Sequence, residues 1–120
     1  MERVLILGCK KTMDTLCLGC SRCLVAFHRK EGEFTRYQGQ NVSLMGITSC
    51  GDCPGNTLIP RLGFMKLANA PLREEPTTIH LAPCLVHCEH CESMIESIEA
   101  RCIVNIVKGT HPYRMDLIFG

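Results

Sequence analysis

Cysteine supplies most of the reactive chemistry of this chain, since ten of its 120 residues are cysteines. Two of them, Cys50 and Cys53, form a C-x-x-C pair in the segment 49–55, which has the sequence SCGDCPG. Such a pair can hold zinc or an iron–sulfur cluster, and it can also cycle between a dithiol and a disulfide. These two thiols therefore predict either a metal site or a redox site.

Two further cysteine clusters have the spacing of metal ligands. The first has the pattern C-x2-C-x2-C, as in three-quarters of a bacterial ferredoxin run, but Phe27 stands where a fourth cysteine would fall. The second has the pattern C-x3-C-x2-C, with His87 and His90 between its cysteines. Together these clusters predict a site for a thiophilic metal. The predicted ligands are Cys9, Cys17, Cys20, Cys23, Cys50, Cys53, Cys84, Cys88, Cys91 and His111.

The cysteine density also bears on the compartment in which the protein works. In a short secreted chain it would indicate a disulfide framework, but no secretory signal is visible, because Lys10 and Lys11 closely follow a short apolar run over 4–7. No uncharged apolar stretch approaches the ~18 residues of a membrane span. We therefore expect a cytoplasmic protein, where clustered cysteines serve as metal ligands or redox thiols.

The charge balance narrows the range of expected binding partners. The chain has 13 basic and 12 acidic residues, a net charge of +1, which argues against binding of nucleic acid or an anionic membrane. A metal ion or cluster is the expected partner, and the sequence does not identify a protein partner.

No catalytic acid–base pair is identifiable, since Asp14 and Asp52 are interpreted as solvated loop carboxylates, so the sequence assigns no enzymatic activity.

Four apolar runs predict strands over 4–7, 42–48, 77–82 and 103–107. Between them the sequence predicts a loop over 10–18 and helices over 23–30, 57–69 and 93–101, with Thr57 as the cap of the second helix and Pro60 in its first turn. Each connection is long enough for a crossover helix. The pattern predicts a single α/β domain over 1–120, with a four-stranded parallel sheet in the order 2-1-3-4 and helices on both faces.

Soft ligands follow all four predicted strands. Cys9, Cys50 and Cys84 each come two residues after a strand, and His111 comes four residues after the last strand. In a parallel sheet these positions lie at the carboxyl edge, where α/β proteins bind ligands. We therefore predict that the ligands converge there.

Two residues of ligand type are expected to lie in the core instead. Cys102, between a helix and a strand, is interpreted as a buried thiol that packs like a small apolar side chain. His80 lies between two aliphatic residues of the third predicted strand and is interpreted as a hydrogen-bonded core histidine.

Three classes of thiol enzyme fit the residues less well than a metal site. A thioredoxin-like C-x-x-C runs directly into a helix, whereas Pro54 and Gly55 delay the helix here; a dithiol oxidoreductase or electron-transfer protein is kept as the alternative. A cysteine phosphatase would need an arginine six residues after Cys9, where Thr15 stands. The spacing C-x3-C-x2-C also occurs in radical-SAM enzymes, which need a much longer barrel.

The chain resembles the CGGC-domain family in three segments, GITSCGDCPG over 46–55, IHLAPC over 79–84 and KGTH over 108–111. The resemblance extends over about 3–111 and departs from the family name at Asp52, which stands in place of the second glycine. It implies a cysteine- and histidine-rich domain that binds zinc, without an assigned biochemical role. By motif it implies site positions at Cys9, Cys23, Cys50, Cys53, His80, Cys84 and His111.

Zinc is the first expectation for the metal because the resemblance implies it and mixed cysteine and histidine ligands suit it. An iron–sulfur cluster is the second, because most of the ligands are thiols at ferredoxin-like spacing. One mononuclear ion could not take all ten cysteines. A cluster, two metals and spare redox thiols therefore stay open as explanations for the rest.

Overall fold

The first strand forms the centre of the sheet in a computed structural model, which describes residues 2–15, 17 and 21–111. β1 (Glu2–Gly8) pairs in parallel with β2 (Val42–Ser49) on one side and with β3 (Thr78–Leu81) on the other. β4 (Asn105–Lys108) pairs in parallel with β3. The strand order 2-1-3-4 confirms the prediction from the sequence.

Alternate residues of β1 face two separate cores, because successive side chains of a strand point to opposite faces. Leu5 and Leu7 belong to the first core, whereas Val4 and Ile6 belong to the second. All four have no solvent exposure. The short uncharged run that predicted β1 is thus covered on both faces.

The crossover connections supply the helices that cover these cores. α3 (Leu58–Asn69) and α5 (Cys91–Arg101) pack on the first core. α2 (Ser21–Arg29) and a 3₁₀ helix, Gly32–Tyr37, pack on the second. The prediction of helices on both faces is confirmed, and Pro60 lies in the first turn of α3, as expected.

Two short helices lie at the carboxyl edge of the sheet. α1 (Lys10–Thr15) directly follows β1, and α4 (Pro83–Val86) follows β3. The prediction of a loop over 10–18 is wrong for α1, because this helix buries none of its residues and so leaves no apolar pattern in the sequence. Local contacts support it, including an ion pair of 2.6 Å between Lys10 and Asp14.

The other differences concern the ends of elements and short helices that the sequence did not predict. α5 begins at Cys91 rather than at residue 93, and β4 begins at Asn105 rather than at residue 103. A second short 3₁₀ helix, Ala70–Leu72, follows α3. The described helices include none with both the length and the hydropathy that a membrane span requires.

Candidate thiol site at the carboxyl edge of the sheet

The ends of the parallel strands place several predicted ligands at one edge of the sheet. Cys9 directly follows β1, and Cys50 directly follows β2. Cys84 lies in α4, three residues after β3, and His111 lies three residues after β4. This is the carboxyl edge at which the sequence predicted the site.

Two consecutive backbone N–H groups donate hydrogen bonds to sulfur atoms at this edge. The N–H of Cys9 lies 3.2 Å from the Sγ of Cys84, and the N–H of Lys10 lies 3.5 Å from the Sγ of Cys50. Because β1 lies between β2 and β3, the end of β1 is next to both of these cysteines. The backbone after β1 therefore holds one sulfur on each side.

The three thiols differ in how easily they lose a proton. Burial raises the pKa of Cys50 and of Cys84, and the neighbouring Cys9 thiol acts in the same direction on both. Burial also acts to raise the pKa of Cys9, but hydrogen bonds from Thr12 and Lys11 outweigh it and leave that pKa below its usual value. Of these three, Cys9 is the thiol that ionises most readily.

Cys23 approaches the same edge from the other face of the sheet. It is the third residue of α2, only 4% exposed, and its Sγ lies 3.2 Å from the Oγ1 of Thr110. Burial raises its pKa, the hydrogen bond with Thr110 lowers it, and the nearby thiols of Cys84 and Cys17 raise it further. Cys84 packs against both cores and so connects Cys23 with Cys9.

Contacts with α3 fix the C-x-x-C turn. Gly51 has a φ of +90°, and a Cβ at this position would lie 2.1 Å from the Oγ1 of Thr57. Asp52 accepts hydrogen bonds at its Oδ1 from the N–H of Thr57 at 3.2 Å and from the Thr57 hydroxyl at 3.1 Å. Thr57 occupies the N-cap position of α3, as predicted, but its side chain makes no capping hydrogen bond, and the carboxylate of Asp52 binds the start of the helix instead.

The two thiols of this turn differ in accessibility. Cys53 is exposed, whereas Cys50 is 1% exposed. Arg61 of α3 holds the strand end below them, donating from its Nε to the carbonyl of Ser49 at 3.1 Å and from its guanidinium to the Oγ1 of Thr48 at 2.8 Å. The turn is therefore anchored at both ends and presents one sulfur to solvent.

The third cysteine cluster lies at the start of α5. Cys91 opens the helix and is buried in the first core, which also contains Cys9 and Cys50. Burial raises the pKa of Cys91, and the charge of Lys108 acts against this. Cys88 accepts the N–H of His90 at 3.4 Å through its sulfur.

His80 has no exposure and is hydrogen-bonded through both ring nitrogens. Its Nδ1 lies 2.9 Å from the carbonyl oxygen of Gly109, and its Nε2 lies 2.7 Å from the hydroxyl of Tyr37. Burial lowers its pKa, which favours the neutral ring. The interpretation of His80 as a core histidine is confirmed.

Comparison with known proteins gives the same family as the motifs. The sequence profile of the CGGC domain matches residues 3–111. This chain belongs to the CGGC-domain family. An uncharacterized protein of Methanocaldococcus jannaschii is 32% identical to it over 121 aligned residues, which cover 91% of this chain and 86% of that protein. No solved structure matches the chain.

Several predicted ligands of this CGGC domain lie apart from the group around Cys9 or cannot be placed. Cys20 lies outside the described residues. His111, just after β4, is partly exposed, and His87, which was not among the predicted ligands, is exposed. Cys102 ends up next to α5, partly buried against the first core, so the expectation of a core thiol is confirmed in part.

The described thiols of the CGGC domain do not form a closed group of metal ligands. Within residues 2–15, 17 and 21–111, no three Cys, His, Asp or Glu side chains are arranged so that they could hold a metal ion. The donor set nevertheless suits a thiophilic metal, because the donors are thiols and N–H groups already point at the sulfurs of Cys50 and Cys84. The two backbone hydrogen bonds would stabilise these sulfurs as thiolates.

Proposed function

We propose that this CGGC domain binds a thiophilic metal through cysteines at the carboxyl edge of its sheet. The observation that carries the proposal is the pair of N–H···S hydrogen bonds from Cys9 and Lys10 to Cys84 and Cys50. An N–H group that donates to sulfur stabilises the thiolate, which is the form that binds metals. The two sulfurs lie just beyond the ends of β2 and β3, the strands on either side of β1, so the sheet restricts where they can move.

The ligands are proposed to come from both sides of β1. Cys9, Cys50 and Cys84 form the central group, the cluster at the start of α2 approaches from the second core, and Cys53 closes the site from solvent. Ligands must be deprotonated to bind a metal, and the proposal requires the thiols to move into one group as the metal binds. The full proposed set is Cys9, Cys17, Cys20, Cys23, Cys50, Cys53, Cys84, Cys88, Cys91 and His111.

Zinc is the proposed metal, with an iron–sulfur cluster as the alternative. Zinc takes four thiolate or imidazole ligands in a tetrahedral arrangement, and the edge offers more thiols than that. A cluster would take thiolates alone, in agreement with the spacing over 17–23. Hard cations such as magnesium and calcium are disfavoured, because they prefer oxygen ligands.

A dithiol–disulfide reaction of Cys50 and Cys53 is the second candidate function. It is supported by the exposed Cys53, which shares the C-x-x-C turn with Cys50. A redox pair needs thiols that its reaction partner can reach, however, and Cys50 is only 1% exposed. Metal binding is therefore the function that the geometry favours.

Elemental analysis and visible absorption of anaerobically purified protein test the proposal. We expect a colourless protein with about one zinc per chain, as for a tetrahedral structural site. Cys50→Ser should lose most of its metal. Cys102→Ser is the matched control, because this thiol lies at the end of α5, away from the strand ends, and it should retain the metal.

Three other results would change the assignment. A brown protein with matching iron and sulfide would replace zinc by a cluster. Metal-free protein in which Cys50 and Cys53 cycle reversibly between dithiol and disulfide would contradict metal binding and support the redox function. Full metal content in Cys50→Ser would remove the C-x-x-C pair from the site.

A further inference from the structure

A series of buried polar contacts crosses the second core and ends at Cys23. Tyr37 contacts the imidazole of His80, which contacts the carbonyl of Gly109, and the next residue, Thr110, contacts the sulfur of Cys23. Apart from Gly109, these residues are at most 4% exposed. A polar series this deep in an apolar core must be fully hydrogen-bonded to be tolerated, and each of its distances lies between 2.7 and 3.2 Å.

Elementary hydrogen-bond chemistry fixes the direction of the first two bonds. A carbonyl oxygen can only accept, so the Nδ1 of His80 carries the proton and donates it to Gly109. The Nε2 of the neutral ring then has only a lone pair, and the Tyr37 hydroxyl must donate to it. His80 is held in one tautomer, and neither ring nitrogen is available to a metal.

The backbone around Gly109 is fixed by three hydrogen bonds. The Gly109 N–H donates to the carbonyl of Leu81 at 2.8 Å, the Thr110 carbonyl accepts the N–H of Glu33 at 2.8 Å, and His80 binds the Gly109 carbonyl. Gly109 itself has a φ of +120°, a conformation that L side chains rarely adopt. Of the three bonds, only the one from His80 comes from a side chain, so it alone can be changed by substitution without altering the backbone.

We propose that His80 is a positioning residue that directs the hydroxyl of Thr110 to the sulfur of Cys23. The inference rests on the proposed function in taking Cys23 as a metal ligand. A thiolate has no proton to give, so in the metal-bound form the hydroxyl of Thr110 donates to the Cys23 sulfur. Such an outer contact orients a ligand, and removing one typically costs about 10–100-fold in metal affinity.

Substitutions at His80 distinguish the hydrogen bond made by Nδ1 from the one made by Nε2. The amide N–H of asparagine can take the place of Nδ1, whereas glutamine reaches toward the position of Nε2. In chelator competition we expect His80→Gln to bind the metal about 10–100-fold more weakly than wild type, and His80→Asn to recover much of the affinity. Thr110→Val, which lacks the hydroxyl, should match His80→Gln, and Thr110→Ser should stay close to wild type.

A measurement on metal-free protein makes the positioning role testable even if no metal binds. In NMR spectra we expect His80→Gln to shift the resonances of Gly109, Thr110 and Cys23, and His80→Asn to move them back toward wild type. If these shifts occur but the wild type retains no metal, the proposed function fails and the positioning role stands.

Three results would overturn the inference. One is unchanged Gly109, Thr110 and Cys23 resonances in His80→Gln. The second is wild-type metal affinity in a folded Thr110→Val protein, which remains decisive if the His80 variants do not fold. The third is an equal loss of affinity in folded His80→Asn and His80→Gln proteins, because the role would then depend on the imidazole as a whole rather than on its Nδ1–H.

Discussion

At position 51, only a residue without a side chain fits between the C-x-x-C turn and α3. A Cβ would lie 2.1 Å from the Oγ1 of Thr57 and 2.9 Å from the Cδ of Arg61, and the φ of +90° is itself strained for an L residue. We predict that Gly51→Ala lowers the free energy of unfolding by about 1–3 kcal/mol. Urea denaturation of the metal-free protein measures this, and metal analysis should show weaker retention because the turn must move.

Gly63 provides the matched control for this substitution. It lies in the interior of α3, and a Cβ there would have no heavy atom within 4 Å apart from the backbone of the helix itself and its chain neighbours. Gly63→Ala should raise the free energy of unfolding by up to about 1 kcal/mol, because alanine is the better helix former. If both variants change stability in the same direction, the steric explanation for Gly51 is wrong.

The spacing of the cysteines in the sequence predicted which thiols would form the site, but not which groups would hydrogen-bond to them. The residue whose N–H binds Cys50 lies 40 positions away in the sequence, and the hydroxyl that contacts Cys23 lies 87 positions away. Every residue except proline carries an N–H, and a buried threonine leaves no periodic signal. The partners of a predicted thiol therefore became visible only once the strands were placed side by side.

At the scale of elements, Asp52 links the C-x-x-C turn to the start of α3. The family name has glycine at this position, and here the carboxylate accepts both the N–H and the hydroxyl of Thr57. We predict that Asp52→Gly lowers the free energy of unfolding by about 0.5–2 kcal/mol, the range for loss of a helix cap. Asp52→Asn keeps an acceptor oxygen and should lose less. Thermal denaturation compares the two, and equal losses would assign the effect to charge rather than to the hydrogen bonds.

The strands and the long helices were predicted, and the short helices were not, even though two of these, the 3₁₀ helix Gly32–Tyr37 and α4, also bury residues. The four strands and the three long helices each carry buried or half-buried apolar residues, and their predicted bounds are close to the observed ones. α1 buries nothing and was interpreted as a loop. This error matters for the site, because the residues of α1 that lower the pKa of Cys9 come from the first turn of that helix.

At the scale of the whole molecule, the buried His80 couples stability to pH. Burial lowers its pKa in the folded protein below the usual value of about 6.5, so the unfolded chain takes up this proton at a higher pH than the folded one. The contribution of His80 to stability is therefore complete above about pH 6.5 and decreases as the pH falls toward its folded pKa. We predict that metal-free protein is destabilised on mild acidification.

Denaturation with urea at a series of pH values between about 5 and 8 measures this effect around the usual histidine pKa. The decrease should become smaller in His80→Gln and remain in His28→Gln, since His28 is an exposed residue of α2. Glu2 and Glu31, whose pKa values are lowered, add their own losses only in more acidic solution. An unchanged slope in His80→Gln would show that another group titrates in this range.

The topology of the molecule was predictable because few arrangements suit this sequence. Four apolar runs separated by long connections leave a parallel sheet with helical crossovers as the simple solution, and the observed order 2-1-3-4 agrees. How the ligands assemble was not predictable. Strand ends fix which edge they share, but side-chain packing decides how the sulfurs are arranged, and the described residues contain no group of three that could hold a metal ion.

The sheet divides the protein into two layers with separate interiors, and the side chain of Cys84 belongs to both. Its sulfur is also held by the backbone at the end of the central strand. Loosening either layer, or the strand between them, changes the surroundings of this one atom. The reactivity of the Cys84 thiol should therefore report on the assembly of the whole fold, because both layers and the backbone after β1 protect its sulfur together.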